Sequence, residues 1–114
     1  LIKELRYSEK IKSEVKFGDN TRFDFLVYKD NKKTFIEVKN VTLSRIKGLA
    51  EFPDAVTARG LKHINELMKA SKKGYETYLL YVIQRNDCKQ LKIAQDIDIE
   101  YFKLLTKAAR KNLN

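Results

Sequence analysis

Residues 21–40 read TRFDFLVYKDNKKTFIEVKN, and the fold turns on them. Residues 22–28 and 34–39 are aromatic and β-branched, the composition of strands. Asp30-Asn31 between them is turn chemistry, so the stretch predicts a hairpin centred on that dipeptide. In that register each residue faces the one equally far on the other side of the turn. Asp24 then faces Glu37, and Arg22 faces Lys39. Side chains alternate along a strand, so Glu37 and Lys39 share a face, and Asp24 and Arg22 join them. Two carboxylates on directly opposed positions, roughly 4.5–5.5 Å apart at Cβ, repel unless a cation stands between them. A hard divalent ion with oxygen ligands would satisfy both, with Arg22 and Lys39 beside it. The plain alternative is a solvent-facing strand surface on which Arg22, Asp24, Glu37 and Lys39 form ordinary cross-strand ion pairs. A three-residue turn would send Asp24 to the other face.

The chain before the hairpin supplies one more candidate. Residues 13–17 alternate and end in Gly18-Asp19-Asn20, so they predict a strand paired with the Asp24 strand. Glu14 would then approach Asp24, as a third ligand or as a surface acid. Residues 40–51 lack a clean period and read as a loop leaving the strand ends, where sites are commonly built. Arg45 and Lys47 in it would contact phosphates or remain solvated.

Phe52-Pro53-Asp54 predicts the start of a helix capped by Asp54. Its buried stripe is Val56, Leu61, Ile64, Leu67 and Met68, and it stops near Lys73-Gly74. Arg59, His63 and Glu66 mark a different stripe. Residues 76–84 form a nearly continuous apolar run, the mark of a strand covered on both faces. Strand, helix and strand in that order give a right-handed βαβ crossover, so the Glu37 strand and this one run parallel. Residues 85–97 read as a polar connection with one apolar patch, 91–94. Asp98 caps a last helix over 99–111, with Tyr101, Leu104, Leu105 and Ala108 inward.

The 114 residues are enough for one modest core. Net charge is +9, from 24 basic and 15 acidic residues. Such a surplus favours polyanion partners, or else a lysine-rich solubilising surface. The longest apolar run is too short to span a bilayer. The single cysteine, Cys88, excludes an internal disulfide and fits a reducing, cytoplasmic setting. With no Cys/His zinc pattern, an oxygen-ligand site would take Mg2+ or Mn2+. Tryptophan is absent, and nothing in the chain suggests a sugar pocket.

Asp24 followed by Glu37-Val38-Lys39 resembles the PD-(D/E)XK nuclease-like pattern. A longer set of residues resembles the bacterial sugar fermentation stimulation protein family. It comprises Thr21-Arg22-Phe23-Asp24-Phe25, the run from Glu37 to Leu43, the run from Phe52 to Gly60, Lys62-His63, Val82-Ile83-Gln84-Arg85 and Asp96-Ile97-Asp98. The resemblance implies an α/β, restriction-endonuclease-like mixed β-sheet flanked by α-helices, with a hairpin, a βαβ crossover and a C-terminal helix. It implies a nuclease-like domain over 13–114, with 1–12 a lead-in from an N-terminal domain of oligonucleotide-binding type. It also implies non-specific DNA binding and a regulator of sugar (maltose) metabolism; the alternative is an active Mg2+- or Mn2+-dependent DNA phosphodiesterase. On either reading Asp24 and Glu37 would hold the ion, aided by the Val38 carbonyl and Glu14, and Lys39 would act beside it. Arg22, Arg45, Lys47, Arg59, Lys62, His63, Gln84 and Arg85 are the candidate nucleic-acid contacts. Oligomeric state is open.

Overall fold

In a computed structural model of the chain, residues 10–18 and 21–114 are described. The expected lead-in over 1–12 lies outside them except for its last three residues, which already belong to a strand. Strand β1 spans Lys10–Phe17, β2 Thr21–Lys29 and β3 Lys32–Val41. Asp30 and Asn31 have φ of 51° and 63°. Two successive left-handed residues make the turn whose twist suits a two-residue hairpin, and Asp and Asn tolerate that conformation better than most side chains. The register is the expected one, from Lys29↔Lys32 to Phe25↔Ile36.

Helix α1, Ala58–Lys72, crosses over to β6, Glu76–Ile83, which pairs parallel with β3. The main sheet therefore has the order β1-β2-β3-β6: two antiparallel steps and one parallel step, as the sequence predicts. Helix α2, Ile99–Ala109, packs against α1. Between helices and sheet lies a core of Phe23, Leu26, Phe35, Ile64, Leu67, Leu79 and Tyr101.

Three expectations need correction. Residues 40–51 are not a loop. Beyond the end of β3, β4 (Leu43–Ile46) and β5 (Leu49–Phe52) form a hairpin, and β7 (Gln90–Ile93) joins β5 in parallel to make a second, three-stranded sheet. The polar sequence hides these strands because their charges cancel. Arg45 makes two-pronged hydrogen bonds to Glu51, at 2.8 and 2.9 Å, and to Asp96, at 2.7 and 2.9 Å. Glu51 can therefore be buried in a strand.

Secondly, Asp54 does not cap α1. Thr57 does, its hydroxyl accepting from the Gly60 N–H at 2.9 Å, while the Asp98 carboxylate accepts from the Thr57 N–H at 2.9 Å. The helix start is thus fixed from α2's side of the molecule, and Val56 is left 75% exposed. Thirdly, the inward stripe of α1 keeps Ile64 and Leu67, with Leu61 and Met68 half-buried against the core, but adds Gly60, His63 and Ala70, so His63 faces in. Asp98 does cap α2, accepting from the Tyr101 N–H at 3.1 Å.

Candidate nucleic-acid interface and acidic centre

The backbone ladder between β2 and β3 stops at Phe25↔Ile36. One residue further on, side chains take over the hydrogen bonds. The Val38 N–H donates to Asp24 Oδ2 at 2.7 Å, and the Asp24 N–H donates to Glu37 Oε1 at 3.3 Å. Burial along β2 loses its alternation at the same point: Thr21, Phe23 and Leu26 are all buried. The strands part here, and the two carboxylates fill the opening. Glu14 lies at this level of β1, between the pairs Ser13↔Phe25 and Val15↔Phe23, with φ of 49° and its side chain exposed.

Glu37 is buried, 3% exposed. Its Oε2 stands 2.6 Å from His63 Nδ1 and 3.7 Å from Lys39 Nζ. Lys39 Nζ is also 2.7 Å from His63 Nδ1. A carboxylate, an imidazole and an ammonium thus meet in one buried cluster, with Asp24 on the far side of Glu37. Burial works against ionisation of Glu37, but hydrogen bonds to His63 and Asp24 and the charges of His63 and Lys39 outweigh it. Its carboxyl is held below the usual range. Asp24 moves the other way. Burial raises it most, Glu37 adds to the rise, and the Val38 N–H only partly offsets them. Burial also pushes the Lys39 ammonium below the usual lysine range; Arg59 lowers it further and Glu37 pulls it back.

Outside this cluster opens a cleft of about 700 Å3, lined by Lys16, Thr21, Arg22, Ala58, Arg59, Lys62 and His63. His63 belongs both to the cleft wall and to the carboxylate cluster. The cleft lies against the first turn of α1. A helix N-terminus carries partial positive charge and is normally complemented by acids. Here the first turn holds no acid of its own; the Asp98 carboxylate at the Thr57 N–H answers the dipole, and Arg59 and Lys62 add positive charge on the cleft side. The attraction for an anion therefore comes chiefly from the cleft's cationic side chains.

The expected contacts fall into two groups. Arg22, Arg59, Lys62 and His63 line one cleft, joined by Lys16, whose place across the hairpin from Arg22 was legible in the strand pairing. The others lie apart. Arg45 is held by Glu51 and Asp96, and Lys47 sits exposed at the tip of the β4–β5 turn. Gln84 donates to the Asn40 side chain at 2.8 Å, and Arg85 pairs with Asp87 at 2.8 Å, both past the end of β6. Among the described residues, no group of three or more His, Cys, Asp or Glu side chains is arranged to hold a metal ion. No helix among them is long and apolar enough to cross a membrane.

Known proteins share this arrangement of strands and helices. The family model described as the sugar fermentation stimulation protein RE domain matches residues 1–114. A sugar fermentation stimulation protein homolog of Pelagibacter ubique is 54% identical over 114 residues, covering 98% of this chain and 49% of the relative. A homolog from a Ruegeria species is 52% identical over 97 residues, covering 83% and 41%. The chain spans about half the length of the curated relatives it matches. Among solved structures, SfsA of Pyrococcus furiosus in complex with Ca2+ superposes with a TM-score of 0.89 at 26% identity, covering 99% of this chain and 48% of that one. The chain belongs to the sugar fermentation stimulation protein family and carries its restriction-endonuclease-like mixed sheet.

Proposed function

We propose that this chain is a DNA-binding, nuclease-like unit that grips the phosphate backbone without base preference and holds a divalent cation at Asp24 and Glu37. The observation that carries the reading is the basic cleft, whose wall residue His63 is also the hydrogen-bond partner of the buried Glu37. Cationic side chains without base-reading partners give affinity that depends on salt and little on sequence. The regulation of sugar (maltose) metabolism implied by the resemblance would rest on this binding.

The donors fit a hard cation. Asp24 and Glu37 offer carboxylate oxygens side by side, and a cation between them would relieve the like-charge repulsion that adds to the burial-driven rise of the Asp24 carboxyl. Two carboxylates, aided by the Val38 carbonyl, suit Mg2+ or Mn2+, which commonly takes one or two protein carboxylates and completes its shell with water and phosphate oxygens. The relative from Pyrococcus furiosus was solved in complex with Ca2+, a hard cation that also takes oxygen ligands, and this supports the reading.

A second reading, phosphodiester hydrolysis, is favoured by Lys39. Its ammonium is fixed beside Glu37 and His63, where it can stabilise charge developing on a phosphoryl oxygen. The bound ion would supply Lewis-acid polarisation of that oxygen. His63 holds the Glu37 carboxylate in place, and the cleft cations position the backbone.

Binding is tested by fluorescence anisotropy on a duplex at several salt concentrations. Steep loss of affinity with salt, and weakening by Arg22→Gln with Arg59→Gln, are expected; binding indifferent to salt and to these changes would overturn the reading. Hydrolysis is tested by plasmid nicking with Mn2+. Nicking that Glu37→Ala and Lys39→Ala abolish is expected, and its absence in the wild type would leave a binding protein only.

A further inference from the structure

The cations of α1 continue well past the cleft. Arg59, Lys62, Lys69 and Lys73 recur at spacings of three, seven and four, which puts them on one face of the helix. Lys72 flanks them, and Lys107 of α2 adjoins. Two grooves beside the cleft are lined by these side chains, one bounded by Lys62, Lys69, Lys72 and Lys73, the other by Lys62, Lys69, Lys72 and Lys107. Glu66 is the single carboxylate lining either groove; it pairs with Lys69 at 3.2 Å. Lys73 is steadied over the Phe17 ring, 5.3 Å from its centroid. The helix dipole accounts for cations in the last turn but opposes Arg59 in the first and gives no reason for Lys62 just beyond it. The row as a whole therefore has another cause.

We infer that this face of α1 is a track for one phosphate strand of duplex DNA, leading from Lys73 to the cleft at the acidic centre. The inference rests on the DNA-binding reading above and gives it a path and a strand form. From Arg59 to Lys72 the helix rises about 20 Å, long enough to meet several successive phosphates of one strand before that strand winds away around the duplex axis. Proteins that take single strands stack the bases on exposed aromatic rings, and among the described residues the only exposed aromatic is Phe25, in β2.

The test is anisotropy on a duplex of about 25 base pairs, and on one of its strands, with wild type and Lys69→Gln/Lys72→Gln/Lys73→Gln. A duplex of that size exceeds the estimated track and leaves flanks. The expected result is tighter binding of duplex than of single strand. For the triple variant, the log affinity against log salt slope should fall by about 2–3, near 0.9 for each lost phosphate contact. Mn2+ binding measured by calorimetry should be unchanged, which reports an intact fold. If the triple variant keeps the wild-type slope while Arg22→Gln/Arg59→Gln weakens binding, the track is wrong and the DNA-binding reading stands. Tighter binding of the single strand also overturns the track. Salt-insensitive binding by the wild type would overturn both.

Discussion

At the scale of single residues, the two acids should answer to pH and mutation with opposite signs. The folded-state carboxyl of Glu37 lies below its ordinary value of 4.5. Its contribution to stability is present above that value and is lost as pH falls through the lowered one. The folded-state carboxyl of Asp24 lies above its ordinary value of 3.8. Its favourable contribution belongs to the protonated form and is lost as pH rises through the raised value, so at neutral pH an ionised Asp24 costs stability. Asp24→Asn keeps an acceptor for the Val38 N–H and removes that charge. It is expected to raise the melting temperature at pH 7 while abolishing calorimetric uptake of Mn2+. Glu37→Gln leaves Lys39, 12% exposed at its side chain, without its counter-charge. Breaking such a buried pair costs about 3 kcal/mol, read as a lower midpoint in denaturant. Equal destabilisation by both changes would contradict this account of the pair.

At the scale of elements, α1 carries the cleft, and its position depends on a contact too close for a side chain. A Cβ at Gly60 would lie 2.7 Å from Thr57 Cγ2 and 2.9 Å from Tyr101 Cε2. Tyr101 is fully buried and its hydroxyl is hydrogen-bonded to Tyr81, so it cannot move aside cheaply. Gly60→Ala should therefore destabilise the fold by about 1–3 kcal/mol through overpacking, although alanine is the better helix former. Chemical denaturation would check it. The second sheet hangs on Arg45 in a comparable way. Arg45→Ala strands Glu51, which is 5% exposed, whereas Arg85→Ala releases only exposed partners, the Asp87 carboxylate and the Thr42 carbonyl. Thermal melts should show the larger loss for Arg45→Ala.

At the scale of the whole molecule, the main core and a smaller cluster of Val41, Ala50 and Cys88 share two flanking side chains, Phe52 and Tyr81. The Phe52 ring lies 5.3 Å from Tyr81 and 5.4 Å from Tyr101, centroid to centroid, so it stitches the two sheets together. Phe52→Ala is expected to cost about 3 kcal/mol. It should also raise amide exchange in β4 and β5 more than in β2 and β3, because the smaller sheet loses its anchor while the hairpin keeps its own. Uniform acceleration across both sheets would show that they unfold as one.

What the sequence determined by itself is local and periodic. Asp30-Asn31 sets the hairpin register, that register brings Asp24 beside Glu37, and strand alternation puts Lys39 with them. The apolar run of β6 and the helix before it determine the parallel crossover, because a connection of that length and type permits little else. Tertiary structure decided the rest. His63 meets Glu37 only once α1 lies across the sheet, and no periodicity reports a partner on another element. The start of α1 waits on the Asp98 carboxylate, which reaches the Thr57 N–H from the far end of the chain. The strands β4 and β5 looked like loop because their polar side chains are neutralised by one another, and a charge reads as solvent-exposed until its partner is in place.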